Sequence, residues 1–250
     1  MNILNVLLIL FIGTFAGFIN VVAGGGSLLT LPMLIFLGLP SAVANGTNRV
    51  ALTMQNIIAI WNFKRKGFFD YKLGITLSIP AVLGSIVGSR IAISIPDEVF
   101  NKILAVVMFI IIFTLIKKPK KKAEDVEEEL TKKKKIILGI TFFFMGIYGG
   151  LLQAGTGFII ITSLTLLSSL SLVSINSIKV IVTFFYVLSS LVVFIISGNV
   201  DWIFGLVLAV GNGIGGYLGS NFSINKGDVW IKRVLIVMVS VMAIKLLFGW

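Results

Sequence analysis

Arg49 and Lys179 are the residues whose type and position could do chemistry. Each sits in a long apolar stretch, and no Asp or Glu lies in the apolar body around either. A cation kept in hydrocarbon marks a pathway or a partner. With no protein carboxylate to neutralise it, a transported anion is the expected counter-charge. Polar residues accompany both. Ala44-Asn45-Gly-Thr47-Asn48-Arg49 continues to Gln55-Asn56, and the second stretch offers Asn176, Ser177 and Lys179. A guanidinium fork can bond two oxygens of an oxyanion at once, and side-chain amides add donors. The alternative is that both cations snorkel, since each lies only ~7 Å inside its segment by helical rise.

Glycine breaks precede both cations. Val22-Ala-Gly24-Gly25-Gly26-Ser27 is followed by Leu-Leu-Thr-Leu-Pro32, and Gln153-Ala-Gly155-Thr156-Gly157 stands in the same place later. Consecutive glycines stop a helix and leave its backbone groups without partners. In hydrocarbon, such backbone survives only where protein buries it or where it lines a cavity. The helix that restarts at Ser27 directs N–H groups and a positive dipole end at the break, which favours an anion. Close helix packing through glycine is the structural alternative. Recurrence beside polar residues favours a site made of Gly24, Gly25, Gly26, Ser27, Asn45, Thr47, Asn48, Arg49, Gln153, Gly155, Thr156, Gly157, Asn176 and Lys179.

These residues must be positioned by membrane helices. The chain is 57% hydrophobic and 12% charged, with mean hydropathy +1.07. A soluble protein of this length could not hide that much apolar surface. Ile3–Ala23, Val99–Ile116 and Val229–Phe248 are long enough to cross a ~30 Å core, and their continuity argues against a β-barrel. The first segment lacks a basic leader and runs into a motif repeated later, so it reads as a span rather than a signal peptide. The net charge of +11 reads as topogenic, and nothing resembles a nucleic-acid module. Without cysteine or histidine, disulfides, thiolate or imidazole metal sites and His-based catalysis are excluded. No nucleophile–base pair or phosphate-binding loop is present. No enzyme activity, catalytic residue, metal or cofactor is therefore expected.

The chain repeats itself at an offset near 131. Gly67 and Asp70 match Gly198 and Asp201, Gly84 and Gly88-Ser89 match Gly215 and Gly219-Ser220, and Asp97 matches Asp228. A collinear series of this kind is an internal duplication. The domains expected are a transmembrane repeat over 1–116, a linker over 117–135 and a second repeat over 136–250. The linker holds nine lysines and five carboxylates, cannot cross a bilayer and reads as cytoplasmic.

The basic loops swap sides. Lys64-Arg65-Lys66 has no basic counterpart at 196–200, whereas acidic 94–98 corresponds to a loop with Lys226, Lys232 and Arg233. By the positive-inside rule the repeats are inverted, related by a pseudo-twofold axis in the membrane. The fold expected is an all-α polytopic bundle of eight full spans and two short segments. In the first half these are 3–22, short 27–39, 44–62, 72–93 and 98–116. In the second they are 135–153, short 157–171, 174–197, 202–222 and 229–248. A parallel four-plus-four arrangement is the rival. Asp70 and Asp201 read as helix caps, Arg90 as an interfacial anchor, and Gly84/Gly88 and Gly215/Gly219 as packing faces.

The pattern Gly13-xxx-Gly17-Phe-Ile-Asn-Val-Val-Ala-Gly-Gly-Gly26-Ser through Pro32, then Ala44-Asn-Gly-Thr-Asn, resembles the TauE/SafE family, also called the toluene sulfonate uptake permease family. Gly146-Ile-Tyr-Gly-Gly-Leu-Leu-Gln-Ala-Gly-Thr-Gly157 resembles its second glycine motif. Thr156 stands where that motif often has a further glycine, and its downstream proline is missing. The resemblance covers the whole chain. It implies a multi-pass transporter of the cytoplasmic (inner) membrane, in a family linked to sulfite, sulfonates and other sulfur-containing anions. Sulfur comes only from the resemblance, while the anion class is also read from the residues.

The function expected is secondary transport of small, sulfur-containing anions by alternating access. An anion channel and a non-transporting assembly subunit remain open. The partners expected are a small anion, the lipid bilayer and a coupling ion, H+ or Na+, with a homodimer as one compatible assembly.

Overall fold

The computed structural model describes residues 2–68, 70–116 and 132–248, with side chains omitted at 108–116, 132–133, 227–229, 231–232 and 234–248. Among the described residues there are nine helices and no strand. They are α1 (Ile3–Val22), α2 (Ser27–Phe36), α3 (Ser41–Arg65), α4 (Tyr71–Ser94), α5 (Asp97–Ile116), α6 (Lys132–Leu151), α7 (Thr156–Leu167), α8 (Leu172–Ile196) and α9 (Trp202–Phe248). The charged linker expected at 117–135 lies outside the described residues except for 132–135, which open α6.

Among the described residues, five helices are long and apolar enough to cross a membrane, at Ile3–Val22, Tyr71–Ser94, Lys134–Leu151, Leu172–Ile196 and Trp202–Lys226. The two expected short segments are the short apolar helices α2 and α7. α3 spans 25 residues but is diluted by polar side chains, among which Asn45, Asn48, Arg49, Gln55 and Asn56 are buried. The outer faces are apolar, with Phe11, Phe15, Ile79, Leu83 and Ile203 exposed. A surface of this kind suits lipid, where burying apolar groups from water no longer drives packing.

One expectation is corrected. Separate spans at 202–222 and 229–248 were expected, but the chain runs through both as one helix, α9. The intervening Asn225-Lys-Gly-Asp228 holds no proline. A single glycine costs a helix only ~1 kcal/mol, too little to force a break.

Small residues set the packing and fix the helix directions. Gly13 meets Leu208 and Asn212, and Gly215 meets Thr14 and Phe18, so α1 and α9 run the same way. Gly146 lies on Ala81, Gly150 on Ser85, and Gly84 on Phe143 and Ile147, so α6 and α4 also run together. Thr47 bonds Asp201, and Asn62 bonds Ser220 and Asn221, which aligns α3 with α9. Gly74 meets Ile181, and Ser89 bonds Ser190, which aligns α4 with α8. Gly46 near the start of α3 touches Phe194 near the end of α8, so these two sets oppose each other. Because α1 and α3 share one direction, α2 must carry the chain back between them, and α7 does the same between α6 and α8. α1–α2 and α6–α7 are therefore helical hairpins that enter from opposite sides.

Candidate functional site at two helix tips

The two hairpin tips meet. Ala23–Gly26 joins α1 to α2, and residues 152–155 join α6 to α7. Gly24 turns with φ +90°, and a methyl group on it would lie 2.5 Å from Gly157 Cα. That position needs glycine twice over, for its left-handed backbone and for the approach of the other chain. Gly25 lies under the Phe158 ring, and Gly26 packs on Ala16 and Asn20. At the second tip Gly155 has φ +76°, and Gln153, with a full side chain, has φ +66°.

A helix that ends inside a membrane leaves its last carbonyls without partners. Here the opposite half supplies them. Arg49 of α3 donates through Nη2 to Gly150 O at 2.6 Å and through Nη1 to Gly149 O at 3.2 Å. Asn45 Nδ2, one turn earlier, donates to Leu151 O at 2.7 Å. An Arg–Asn pair thus takes three consecutive carbonyls at the end of α6. At the end of α1, Lys179 Nζ of α8 donates to Asn20 O at 3.0 Å and Val21 O at 2.5 Å. Asn176 Nδ2 donates to Val22 O at 3.2 Å. Each pair is also joined internally, Arg49 Nη2 to Asn45 Oδ1 at 3.0 Å and Lys179 Nζ to Asn176 Oδ1 at 2.8 Å.

Arg49 and Lys179 are 0% and 2% exposed, so neither snorkels. No carboxylate is among their partners. Each faces the negative end of a helix dipole, equivalent to about half an elementary charge, which offsets only part of the charge of a cationic side chain. Arg49 also donates to Gln153 Oε1 at 2.8 Å and lies 4.8 Å from the Phe194 ring centre.

Gln153, Thr156, Asn176 and the glycines are brought together at the tips. Thr156 Oγ1 donates to Gln153 O at 3.0 Å and bonds the Tyr186 hydroxyl at 2.7 Å. Gln153 Nε2 donates to the same hydroxyl at 3.2 Å. Ser27 is buried at the start of α2. Asn48 Oδ1 accepts from Thr30 of α2 at 2.8 Å, while its Nδ2 has no partner. Arg49 Nε and Ser177 Oγ are likewise buried without partners. Thr47 is not brought in: its hydroxyl accepts from Asp201 N at 2.9 Å, on the opposite side of α3 from Asn45 and Arg49. Asp70 and Asp201 cap α4 and α9 as expected, and Arg90 is exposed.

Three contributors were missed in the sequence: Tyr186, Asn20 and Tyr148, whose hydroxyl bonds Ala154 O. Tyr186 lies seven residues after Lys179, hence on one helical face with it, and that spacing could have drawn attention to it. A cavity of about 360 Å³ opens elsewhere, lined by Gly67, Phe68, Asp70, Tyr71, Lys72 and Ser174, and holds none of the tip residues.

The family "Sulfite exporter TauE/SafE" matches residues 9–246. The chain is 30% identical to a "Probable membrane transporter protein" of Haemophilus influenzae, over 99% of this chain and 97% of that one. It is 26% identical to "Probable membrane transporter protein ORF9" of Sinorhizobium sp, over 97% and 93%. It is 27% identical to "Probable membrane transporter protein YfcA" of Escherichia coli K12, over 95% and 88%. No solved structure matches.

Proposed function

The chain belongs to the TauE/SafE sulfite exporter family and is a multi-pass membrane transporter, and from that premise we propose that it carries small oxyanions, sulfur-containing ones first, by alternating access. Residues 1–116 and 136–250 are then two inverted transmembrane repeats about a cytoplasmic linker at 117–135, set in the cytoplasmic membrane. The opposed directions of the α1–α2 and α6–α7 hairpins support inversion.

One observation carries the reading: buried donors at the tips lack acceptors. Two cations lack carboxylates, and Asn48 Nδ2 and Arg49 Nε lack any acceptor. Leaving a buried donor unpaired costs about 1–3 kcal/mol, and an oxyanion would supply the missing acceptors. The anion site is then Ser27 and the Gly24–Gly26 turn on one tip, Asn48 and Arg49 beside it, and Gln153, Gly155, Thr156 and Gly157 on the other, with Lys179 and Asn176 adding positive potential. The site is closed here, so rocking of the halves would have to part the tips to admit substrate. The chemistry is transfer without bond making, so no enzyme activity is assigned.

The test is counterflow in proteoliposomes. Vesicles loaded with sulfite, with the membrane potential clamped at zero by valinomycin and equal K+ on both sides, should accumulate labelled external sulfite transiently, which a channel cannot do under that clamp. Asn48→Leu, which keeps the side-chain volume but removes the unpartnered donor, should lower the exchange at least tenfold while the protein remains folded. Absence of counterflow with sulfite, thiosulfate and alkylsulfonates would overturn the reading.

A further inference from the structure

Cation-coupled carriers with broken helices hold Na+ against half-helix C-terminal ends and unwound carbonyls. Both such ends in this chain are already taken. Gly149 O, Gly150 O and Leu151 O at α6, and Asn20 O, Val21 O and Val22 O at α1, each accept from a side chain of the opposite half. The groups in those places are cations. Lys179 Nζ has three oxygen neighbours between 2.5 and 3.0 Å, an all-oxygen surround that would suit a hard metal cation as well as an ammonium.

We propose that Lys179 and Arg49 are tethered cations that fill, from within the chain, the two helix-end sites where a carrier of this design would bind Na+, so that anion transport here needs no Na+. This rests on the reading of the chain as an anion carrier for its consequence in flux, but not for its consequence in stability. A tethered cation binds intramolecularly, at an effective concentration set by its connection to the chain, and cannot leave with the substrate. It supplies the charge that orders the tip but no sodium gradient to drive the cycle. The two ends differ in one respect: an arginine stays charged, whereas a lysine can give up its proton when buried. Any cation cycling at the helix ends would therefore be a proton at Lys179, not a metal ion.

Thermal unfolding of the purified full-length protein in NaCl and in choline chloride at matched ionic strength reads this without any substrate. The wild type should melt at the same temperature in both. Lys179→Ala opens the α1 site, and should melt several degrees lower in choline chloride and regain a substantial part of that loss in NaCl, saturably. Arg49→Ala makes the same test at the α6 end, independently of whether the first variant folds well. Sodium-specific stabilisation of the wild type overturns the proposal. So does indifference to Na+ in both variants, or failure of both to fold in either salt. Sulfite counterflow in the wild type separates the two claims. Equal exchange with and without Na+ supports both, exchange only with Na+ overturns this inference alone, and no exchange in either salt overturns the carrier reading while the melting result still stands.

Discussion

The tip of α6 is held by more than the tip of α1. Arg49 makes four hydrogen bonds there and lies over Phe194, whereas Lys179 makes three bonds at α1. The turn after α6 is itself tied down, with Gln153 bonded to Arg49 and Tyr186, and Thr156 to Tyr186. The turn after α1 is Gly24-Gly25-Gly26, with no side chain to tie. Both tips meet the same demand, three orphaned carbonyls in hydrocarbon, and both meet it with an Asn and a cation from the opposite half. One is built for rigidity and the other keeps the conformational freedom of glycine. The α1 tip is therefore expected to move first when the site opens.

The largest effect should come where the tips touch. Gly24→Ala forces a left-handed alanine and drives its methyl into Gly157. Strain and overpacking together cost on the order of 3–5 kcal/mol. Chemical unfolding in detergent should show this loss, and transport should cease. Gly25→Ala crowds the Phe158 ring and no backbone atom among its nearest neighbours, and that ring can turn aside, so its loss should be less than half as large. Equal losses would mean that the backbone contact does not order the tips.

Next comes the comparison of the two cations. Arg49→Ala strips donors from Gly149, Gly150, Gln153 and Asn45 at once and should cost about 3–4 kcal/mol. Lys179→Ala strips fewer and should cost about 2–3 kcal/mol in sodium-free buffer. The order of the two is the prediction. A larger loss at Lys179 would reverse the assignment of the stiff and mobile tips.

Gln153 sharpens the same contrast. It holds a left-handed backbone, φ +66°, that its side-chain bonds must sustain. Gln153→Ala loses the bonds and keeps the strain, whereas Gln153→Gly loses the bonds and relieves it. The glycine variant should therefore be the more stable by about 1 kcal/mol, against the ordinary order in which alanine is preferred. If alanine proves better by unfolding midpoint, the strain at Gln153 is not real.

Much of this was legible in the sequence because a membrane narrows the choices. Continuous apolar runs gave the helices, and the glycine clusters gave the breaks at Gly24–Gly26 and Gly155–Gly157. The alignment of Arg49 with Lys179 identified the two equivalent positions. What a one-dimensional reading could not supply was the exchange between halves. Nothing in the α3 sequence says that Arg49 reaches α6 rather than α1, because that depends on which helices pack together. The same gap explains Thr47. It lies between Asn45 and Arg49 in the chain, but two residues along a helix turn a side chain through about 200°, toward α9. The break expected between 222 and 229, which α9 does not have, has a different cause, since whether a helix ends there depends on packing that a lone glycine does not specify.

Thr47 supplies the smallest effect and the control for the rest. Its hydroxyl accepts from Asp201 N, beside the carboxylate that caps α9 through Ile203 and Phe204. Thr47→Val keeps the shape of the side chain and removes one hydrogen bond, a loss of about 1 kcal/mol. That loss should fall on the α8–α9 turn, and hydrogen exchange should quicken at Asp201 while the amides of Gly155 and Gly157 stay as protected as before. Sulfite counterflow should be unchanged. Arg49 is two residues away on the same helix, so an equal loss of transport from Thr47→Val would show that α3 tolerates no change anywhere. The large effect expected at Arg49 would then report on the helix as a whole, and the contrast between the two tips would lose its meaning.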